Sequence, residues 1–215
     1  CGLCRWSDHC NAQWEQEDSL ALVAGITRSQ RQKLEAAGVT TMAALAERAE
    51  RVPKMAAETQ RKLVAQARLQ TARRAGAGPS FVLREPEAGK GFGLLPEPAE
   101  GDVFYDIEGD PYFPGGLEYL HGVWFMDDGV WQFRAFWAHD REEEGQAMRD
   151  LLAFLVERMR RYPKAHIYHY ANYEIAALRR LTAARRTGEA AMEQLQRERR
   201  FADLFKVVGG GLIAS

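Results

Sequence analysis

Two carboxylates stand two positions apart in the segment Phe104-Tyr105-Asp106-Ile107-Glu108. The apolar residues around them predict a β-strand, and side chains at positions i and i+2 of a strand point to the same face. Asp106 and Glu108 would therefore share a face, where two bare negative charges repel each other and resist desolvation. A divalent cation removes that cost, and Mg²⁺ and Mn²⁺ prefer oxygen ligands. Two such ions can activate water and stabilise the leaving oxygen in phosphodiester hydrolysis.

A third carboxylate lies in a second pattern, residues 166–174, where a short β segment runs directly into a helix. This order places Glu174 in the first turn of the helix and near the first strand, which makes it a third candidate catalytic residue and metal ligand. Tyr168, His169 and Tyr173 are candidate supporting or substrate-binding residues. The alternative is that Glu174 only interacts with the helix dipole and that His169 is a packing residue.

The three cysteines of the chain all lie in its first ten residues, at Cys1, Cys4 and Cys10. Short spacings of this kind favour a metal or an iron–sulfur cluster in a reducing cytosol over a disulfide framework. His9 could complete a zinc site with three cysteines and one histidine.

Composition limits the classes of function. The 215 residues are 46% hydrophobic and 27% charged, with a formal net charge of -1, so one large domain or two small ones can bury a core. The charge balance provides no long-range attraction to a polyanion, and any nucleic-acid contact must come from local basic patches. The sequence contains neither a signal peptide nor an apolar run of about 18 residues, which predicts a cytoplasmic protein without membrane spans.

The pattern of residues divides the chain into four regions. Residues 1–18 form a cysteine-rich knuckle, 19–76 are helical, 77–100 are a linker with one strand at 81–83, and 101–215 alternate strands and helices. In the second region we predict helices from Thr27 to Ala37, from a cap at Thr40 or Thr41 to Ala49, and from Pro53 to Gly76. Residues 23–45 resemble a helix-hairpin-helix module, which presents backbone N–H groups to a phosphate. A plain helical packing unit is the alternative.

The fourth region has the element order of an RNase H-like fold. Strands over 102–108, 117–126 and 130–137 precede an amphipathic helix over 142–161, and a strand over 165–169 precedes a helix over 172–181. Further elements cover 189–200 and 203–208. The long helical crossover should make the fourth strand parallel to the first. We therefore predict an α/β (α+β) fold, with a mixed sheet flanked by helices and preceded by the helical module.

The acidic motifs resemble those of DEDD exonucleases. Together with the segments 116–123, 136–140 and 168–170, they closely resemble the YprB-type RNase H-like domain of RecB-like nucleases, over essentially the whole chain. The resemblance implies a Mg²⁺- or Mn²⁺-dependent 3′–5′ exonuclease that acts on single-stranded nucleic acid in DNA repair or nucleic-acid processing. It also implies that the nucleic acid is DNA rather than RNA and that a helicase domain is present in the same parent chain. It further implies a role near the site for Asp203. A helix-capping Asp203 is the alternative.

The resemblance has departures and gaps. Glu174 stands where relatives carry Asp, and His169 where many carry Asn. Cys1, Cys4 and Cys10 would belong to a [4Fe–4S] cluster, with Zn²⁺ as the alternative metal. The fourth cluster ligand and the fourth catalytic acid would lie outside the sequence, so we expect a fragment that is a poor catalyst or none. Two rival interpretations remain open: a non-catalytic module that binds nucleic acid or a helicase, and a metalloenzyme of another class that uses only Asp106 and Glu108.

Overall fold

A computed structural model describes residues 4–215, so Cys1 lies outside the described residues. The chain folds into two compact units: the residues up to Glu85 together with Leu212–Ser215, and Pro86–Gly211. Each unit has its own hydrophobic core. None of the helices within residues 4–215 combines the length and apolarity that a membrane crossing needs.

The first unit is mainly helical. Its elements are α1 Ser7–Gln16, α2 Arg28–Ala36, α3 Met42–Ala46, α4 Ala57–Arg74 and an antiparallel ribbon of β1 Phe81–Leu83 with β7 Leu212–Ala214, and a 3₁₀ turn covers Leu20–Leu22. Thr27 and Gln30 form a capping box at the start of α2, as the Thr27 N-cap predicted. The segment expected to be a knuckle contains the helix α1, in which Cys10 is half-buried.

The predicted extents of α3 and α4 were too long by three and four residues at the loop between them. The buried amide of Gln60 accepts from the Val52 N–H at 2.9 Å and donates to the Glu50 carbonyl at 2.7 Å. Lys54 adopts a positive φ of 61°, which interrupts a helix. The loop is therefore held by hydrogen bonds to a side chain of α4 and is not a continuation of that helix.

The second unit contains a five-stranded mixed sheet with the order β4-β3-β2-β5-β6. The strands are β2 Val103–Asp110, β3 Leu117–Asp127, β4 Val130–Trp137, β5 Ile167–His169 and β6 Phe201–Asp203, and the helices are α5 Arg141–Arg161, α6 Tyr173–Arg185, α7 Glu189–Arg197 and α8 Leu204–Gly211. A 3₁₀ turn covers Gly91–Leu94. The predicted fold class is confirmed, and β5 is parallel to β2 as the crossover required.

Helix α5 covers one face of this sheet. Asp140 caps it by accepting from the N–H groups of Glu142 and Glu143. The predicted apolar face is confirmed, because its members are all buried: Met148, Leu151, Leu152, Leu155 and Met159. Val103, Tyr105 and Ile107 of β2 belong to the same core cluster.

The alternate residues of β2 point away from this core. Phe104, Asp106 and Glu108 are exposed, in register with Trp124, Gly122 and Leu120 of β3. The strict alternation along β2 thus separates a packed face from an open face that carries the two acids.

Candidate functional site

Asp106 and Glu108 line a cleft of about 400 Å³ on the open face of the sheet. Tyr168 and His169, at the end of the neighbouring strand β5, line the same cleft. The pairing of β2 with β5 brings these four candidate residues together, although about sixty positions separate them in sequence. The cleft can therefore present two carboxylates to a ligand.

Glu174 lies next to this group but in the interior. Its side chain is only 4% exposed, and Oε1 accepts from the Tyr170 backbone N–H at 3.3 Å. Oε2 is 3.7 Å from His169 Nδ1, and neither atom has a hydrogen-bond partner among the described residues. This carboxylate therefore has one acceptor atom without a partner beside the cleft. A buried polar atom in that state is costly.

The pKa of Tyr105 is raised by acids from three different elements of the second unit. Burial raises the pKa of Tyr105 well above its usual value, and the negative charges of Glu174, Glu118 and Asp106 raise it further. The phenol oxygen lies 2.9 Å from Nδ1 of the fully buried His121. Glu174 and Asp106 are thus electrostatic neighbours of the same hydroxyl.

Glu118 is an acid of this region that we did not single out from the sequence. It is buried on β3, accepts from the Tyr173 hydroxyl at 3.1 Å and pairs with Arg180. Tyr173 therefore turns toward Glu118 and lines a second cleft of about 520 Å³, which adjoins Gly109. The available signal was an acid next to Leu117 at the start of a mainly apolar strand, because a buried acid needs a partner.

Acids that line the two clefts raise the pKa of Tyr173. Partial burial raises it, followed by the charge of Glu118 and its hydrogen bond, and Glu108 contributes a further increase. A Cβ atom placed on Gly109 would lie 2.7 Å from Glu118 Oε2 and 2.9 Å from the Tyr173 hydroxyl. The absence of a side chain at this position therefore allows these two groups to meet beside the strand that carries Glu108.

Asp203 supports the turn between β5 and α6. Its Oδ1 accepts from the Ala171 N–H at 3.1 Å, and Ala171 has a positive φ of 66°, which is uncommon for a residue other than glycine. The same oxygen accepts from the Phe205 N–H at 3.0 Å at the start of α8, so the capping alternative is also observed. Asp203 is not among the residues that line the cleft of Asp106.

Tyr168 forms part of the cleft wall. Its ring stacks on Phe104 with centroids 5.1 Å apart, and its hydroxyl donates to Asp102 Oδ2 at 3.4 Å. Burial, together with the charge of Asp102, raises the pKa of Tyr168 to about 12. The hydroxyl is therefore protonated at neutral pH and acts as a hydrogen-bond donor.

Several arginines of the second unit have structural partners. Arg158 is buried and donates to the carbonyls of Gly101 and Met126. Arg185 pairs with the buried Glu144, and Arg180 with Glu118. These side chains pair with buried acids or donate to peptide carbonyls, so they do not form a free basic surface.

A cavity of about 640 Å³ in the first unit lies beside α4 and has no acid among its lining residues. Its rim includes Arg48, Arg51, Arg61 and Arg68. Arg48 pairs with Glu50, and Arg68 donates to the Ala46 carbonyl at 2.7 Å. The candidate carboxylates Asp106, Glu108 and Glu174 all belong to the second unit.

Within residues 4–215, no three His, Cys, Asp or Glu side chains form a group that could hold a metal ion between them. Cys4 is exposed and Cys10 is half-buried, both as free thiols, and His9 is exposed. Asp106 and Glu108 are exposed, so their rotamers can change when a ligand binds.

Comparisons with known proteins identify the domain that contains this site. A family model of the RNase H superfamily, RNase_H_2, matches residues 103–214, just over half of the chain. Searches of curated proteins and of solved structures found no match. The matched range contains β2 with Asp106 and Glu108, the crossover helix, β5 and α6 with Glu174. The chain therefore belongs to the RNase H superfamily.

Proposed function

We propose that this chain is a metal-dependent nuclease of the DEDD type, a 3′–5′ exonuclease in which Asp106, Glu108 and Glu174 bind Mg²⁺ or Mn²⁺. Membership of the RNase H superfamily indicates a nuclease-type function on nucleic acid. The observation that carries the finer proposal is the pair of exposed carboxylates on the central strand of that domain, in a cleft shared with Tyr168 and His169.

The donor set suits the proposed ions. Asp106 and Glu108 offer oxygen ligands, which Mg²⁺ and Mn²⁺ prefer, and Glu174 Oε2 is a buried acceptor without a partner among the described residues. A bound ion would supply Lewis acidity toward the phosphodiester group. The protein would contribute the position of the substrate, with Asp203 and Glu174 holding the turn that follows β5.

The decisive test is Mn²⁺ titration by calorimetry on wild type, Asp106→Asn and Glu108→Gln. Removal of one charged ligand should weaken Mn²⁺ binding at least about tenfold, which corresponds to about 1.4 kcal/mol. Asp128→Asn is the matched control, because Asp128 is exposed in the β3–β4 turn with a φ of 48° that Asn tolerates. Equal Mn²⁺ affinity in wild type and Asp106→Asn would refute the proposed metal site.

Polarity is tested with single-stranded DNA labelled at one end. A 3′–5′ exonuclease removes a 3′ label as the first product, whereas a 5′ label remains on progressively shorter strands. We expect this pattern with Mn²⁺ in wild type and its loss in Asp106→Asn. Shortening from the 5′ end would contradict the proposed polarity.

A non-catalytic nucleic-acid-binding module is the second candidate. The observation that favours it is the hydrogen bond of Glu174 to the Tyr170 N–H, which gives this acid a structural role in the loop. Nucleic-acid binding with no hydrolysis and no Mn²⁺ binding that depends on Asp106 would support this candidate.

The proposal extends to the parent protein and to the cysteines at the start of the sequence. We propose a RecB-like parent protein in DNA repair that acts on DNA with a helicase domain in the same chain, with Cys1, Cys4 and Cys10 as ligands of a [4Fe–4S] cluster or, alternatively, of Zn²⁺. The support is their spacing in sequence, since Cys1 lies outside the described residues. Thiolate-rich sites with short spacings suit both metals.

A further inference from the structure

A row of four aromatic side chains crosses the open face of the sheet in the second unit. Tyr168, Phe104, Trp124 and Phe133 occupy paired positions on β5, β2, β3 and β4. Adjacent strands are about 4.8 Å apart, so the row extends about 14 Å across the sheet. Phe104, Trp124 and Phe133 remain 41%, 45% and 58% exposed, so these three rings are accessible to a ligand. Tyr168 is buried and stacks on Phe104, so it supports the row at one end.

The aromatic row is continuous with the candidate active site. The next row on the same face consists of Asp106, Gly122 and Ala135. Gly122 has no side chain, and a Cβ atom there would lie 3.1 Å from the Phe133 ring, so this ring borders the space above Gly122. The members of the aromatic row line the same cleft as Asp106 and Glu108. A ligand on the rings would therefore extend directly to the carboxylates.

We propose that this aromatic row is a stacking platform for the bases of a single-stranded nucleic acid, and that it holds the strand with its backbone beside Asp106 and Glu108. The inference rests on the proposed nuclease function and assigns the aromatic row as the surface that binds the bases of its substrate. Aromatic rings stack on any base, because every base has a π-face. A duplex keeps those faces inside its own stack, so it cannot use the platform.

The charge of the chain is consistent with this mode of binding. A formal net charge of -1 provides no general attraction for phosphates, and Arg158, Arg180 and Arg185 are engaged by buried groups. Stacking requires no positive charge, so it can supply affinity where electrostatic attraction is weak.

The test compares two probes on the full chain without divalent ions. One probe is a short oligothymidylate with a fluorescent end label, and the other is an abasic strand of the same length, which has the phosphates but no bases. We expect wild type to bind the oligothymidylate about 5- to 100-fold more tightly than the abasic strand. Trp124→Thr and Phe133→Thr should each lose a similar factor toward the oligothymidylate alone.

Val130→Thr is the matched control, because Val130 is an exposed aliphatic residue of β4 outside the aromatic row. Threonine favours strands, so each variant should remain folded, which circular dichroism melting verifies. In wild type, quenching of tryptophan fluorescence by the oligothymidylate but not by the abasic strand gives a measurement that needs no substitution. Equal affinity for both probes, or wild-type affinity in both aromatic variants, would overturn the inference.

The outcome is separable from that of the nuclease proposal. Base-dependent binding that persists when Asp106→Asn leaves Mn²⁺ affinity unchanged would retain the platform and reject the metal site. Mn²⁺ binding that depends on Asp106, together with equal affinity for the two probes, would do the reverse. Binding of the platform to an apolar peptide but to neither strand would identify a protein partner and also overturn the inference.

Discussion

His121 and Tyr105 face each other in the core just behind the carboxylates of the cleft. Their nitrogen and oxygen atoms are 2.9 Å apart, and burial lowers the pKa of His121 to about 4 despite an opposing contribution from Glu144. The imidazole is therefore neutral at pH 7 and can accept a hydrogen bond from the Tyr105 hydroxyl through Nδ1. A buried neutral pair supports the β2–β3 contact without adding charge to the site.

His121 should make stability depend on pH. The unfolded chain protonates this residue near pH 6.5 and the folded chain only near pH 4, so the unfolded state binds more protons in between. The free energy of unfolding should fall by roughly 2–3 kcal/mol as pH falls through this window. His121→Gln should remove that part of the decrease, as measured by urea unfolding at several pH values.

The control for this experiment is His139→Gln, which removes an exposed imidazole. Its pH dependence should follow that of wild type. If His121→Gln shows the wild-type loss of stability between pH 6.5 and 4, the contribution assigned to the buried histidine is wrong.

At the scale of elements, the end of α5 is attached to the sheet through Arg158. Its guanidinium donates to the Gly101 carbonyl at 2.9 Å and lies 4.5 Å from the ring centroid of Phe125. Gly101 also lies against Tyr162, just beyond the end of the helix. This junction sets the start of β2, and with it the register of the strand that carries Asp106 and Glu108.

Gly101→Ala tests the junction. A Cβ atom at this position would lie 2.1 Å from the Tyr162 Cβ, which cannot move without its backbone. We expect a loss of at least about 2 kcal/mol in the free energy of unfolding, as overpacking of a tight contact predicts. Gly209→Ala in α8 meets no atom within 4 Å and should change stability by less than about 1 kcal/mol. Equal stability of the two variants in urea would disprove the predicted clash.

For the molecule as a whole, the two hydrophobic cores share no residue. Leu34 and Leu45 belong to the core of the first unit, and Leu151 and Leu152 to that of the second. Each unit can therefore be probed through its own helix caps and its own core amides.

Thr27→Ala should weaken the first unit at the start of α2. Loss of the capping box costs about 1 kcal/mol and leaves an N–H group of the first turn without its partner. Native-state hydrogen exchange should show this loss at Leu34 and Leu45, whereas Asp140→Ala should show its loss at Leu151 and Leu152. Equal loss of protection in both cores after Thr27→Ala would contradict the assignment of the cap to one unit.

Local patterns in the sequence were sufficient for most of the second unit. Apolar and aromatic runs on either side of the turn at Asp127–Gly129 predicted β3 and β4, the shared face of Asp106 and Glu108 fitted β2, and the apolar spacing predicted α5, because all of these signals arise from residues close together in sequence. The loop before α4 was missed, since the contacts of Gln60 with Glu50 and Val52 join residues of two elements. Such pairs leave no periodic signal.

The sequence by itself determined the fold class, the parallel pairing of β5 with β2 and the shared face of Asp106 and Glu108, because strand geometry and crossover handedness follow from local pattern and chirality. Only the tertiary structure decided that Glu118 engages Tyr173 and Arg180, and that Tyr168, Phe104, Trp124 and Phe133 align in one row. Those contacts depend on strand register and on distances between distant parts of the chain. The physical reason is that a register shift of one residue exchanges the two faces of a strand, so which side chains meet is settled only when the whole sheet is assembled.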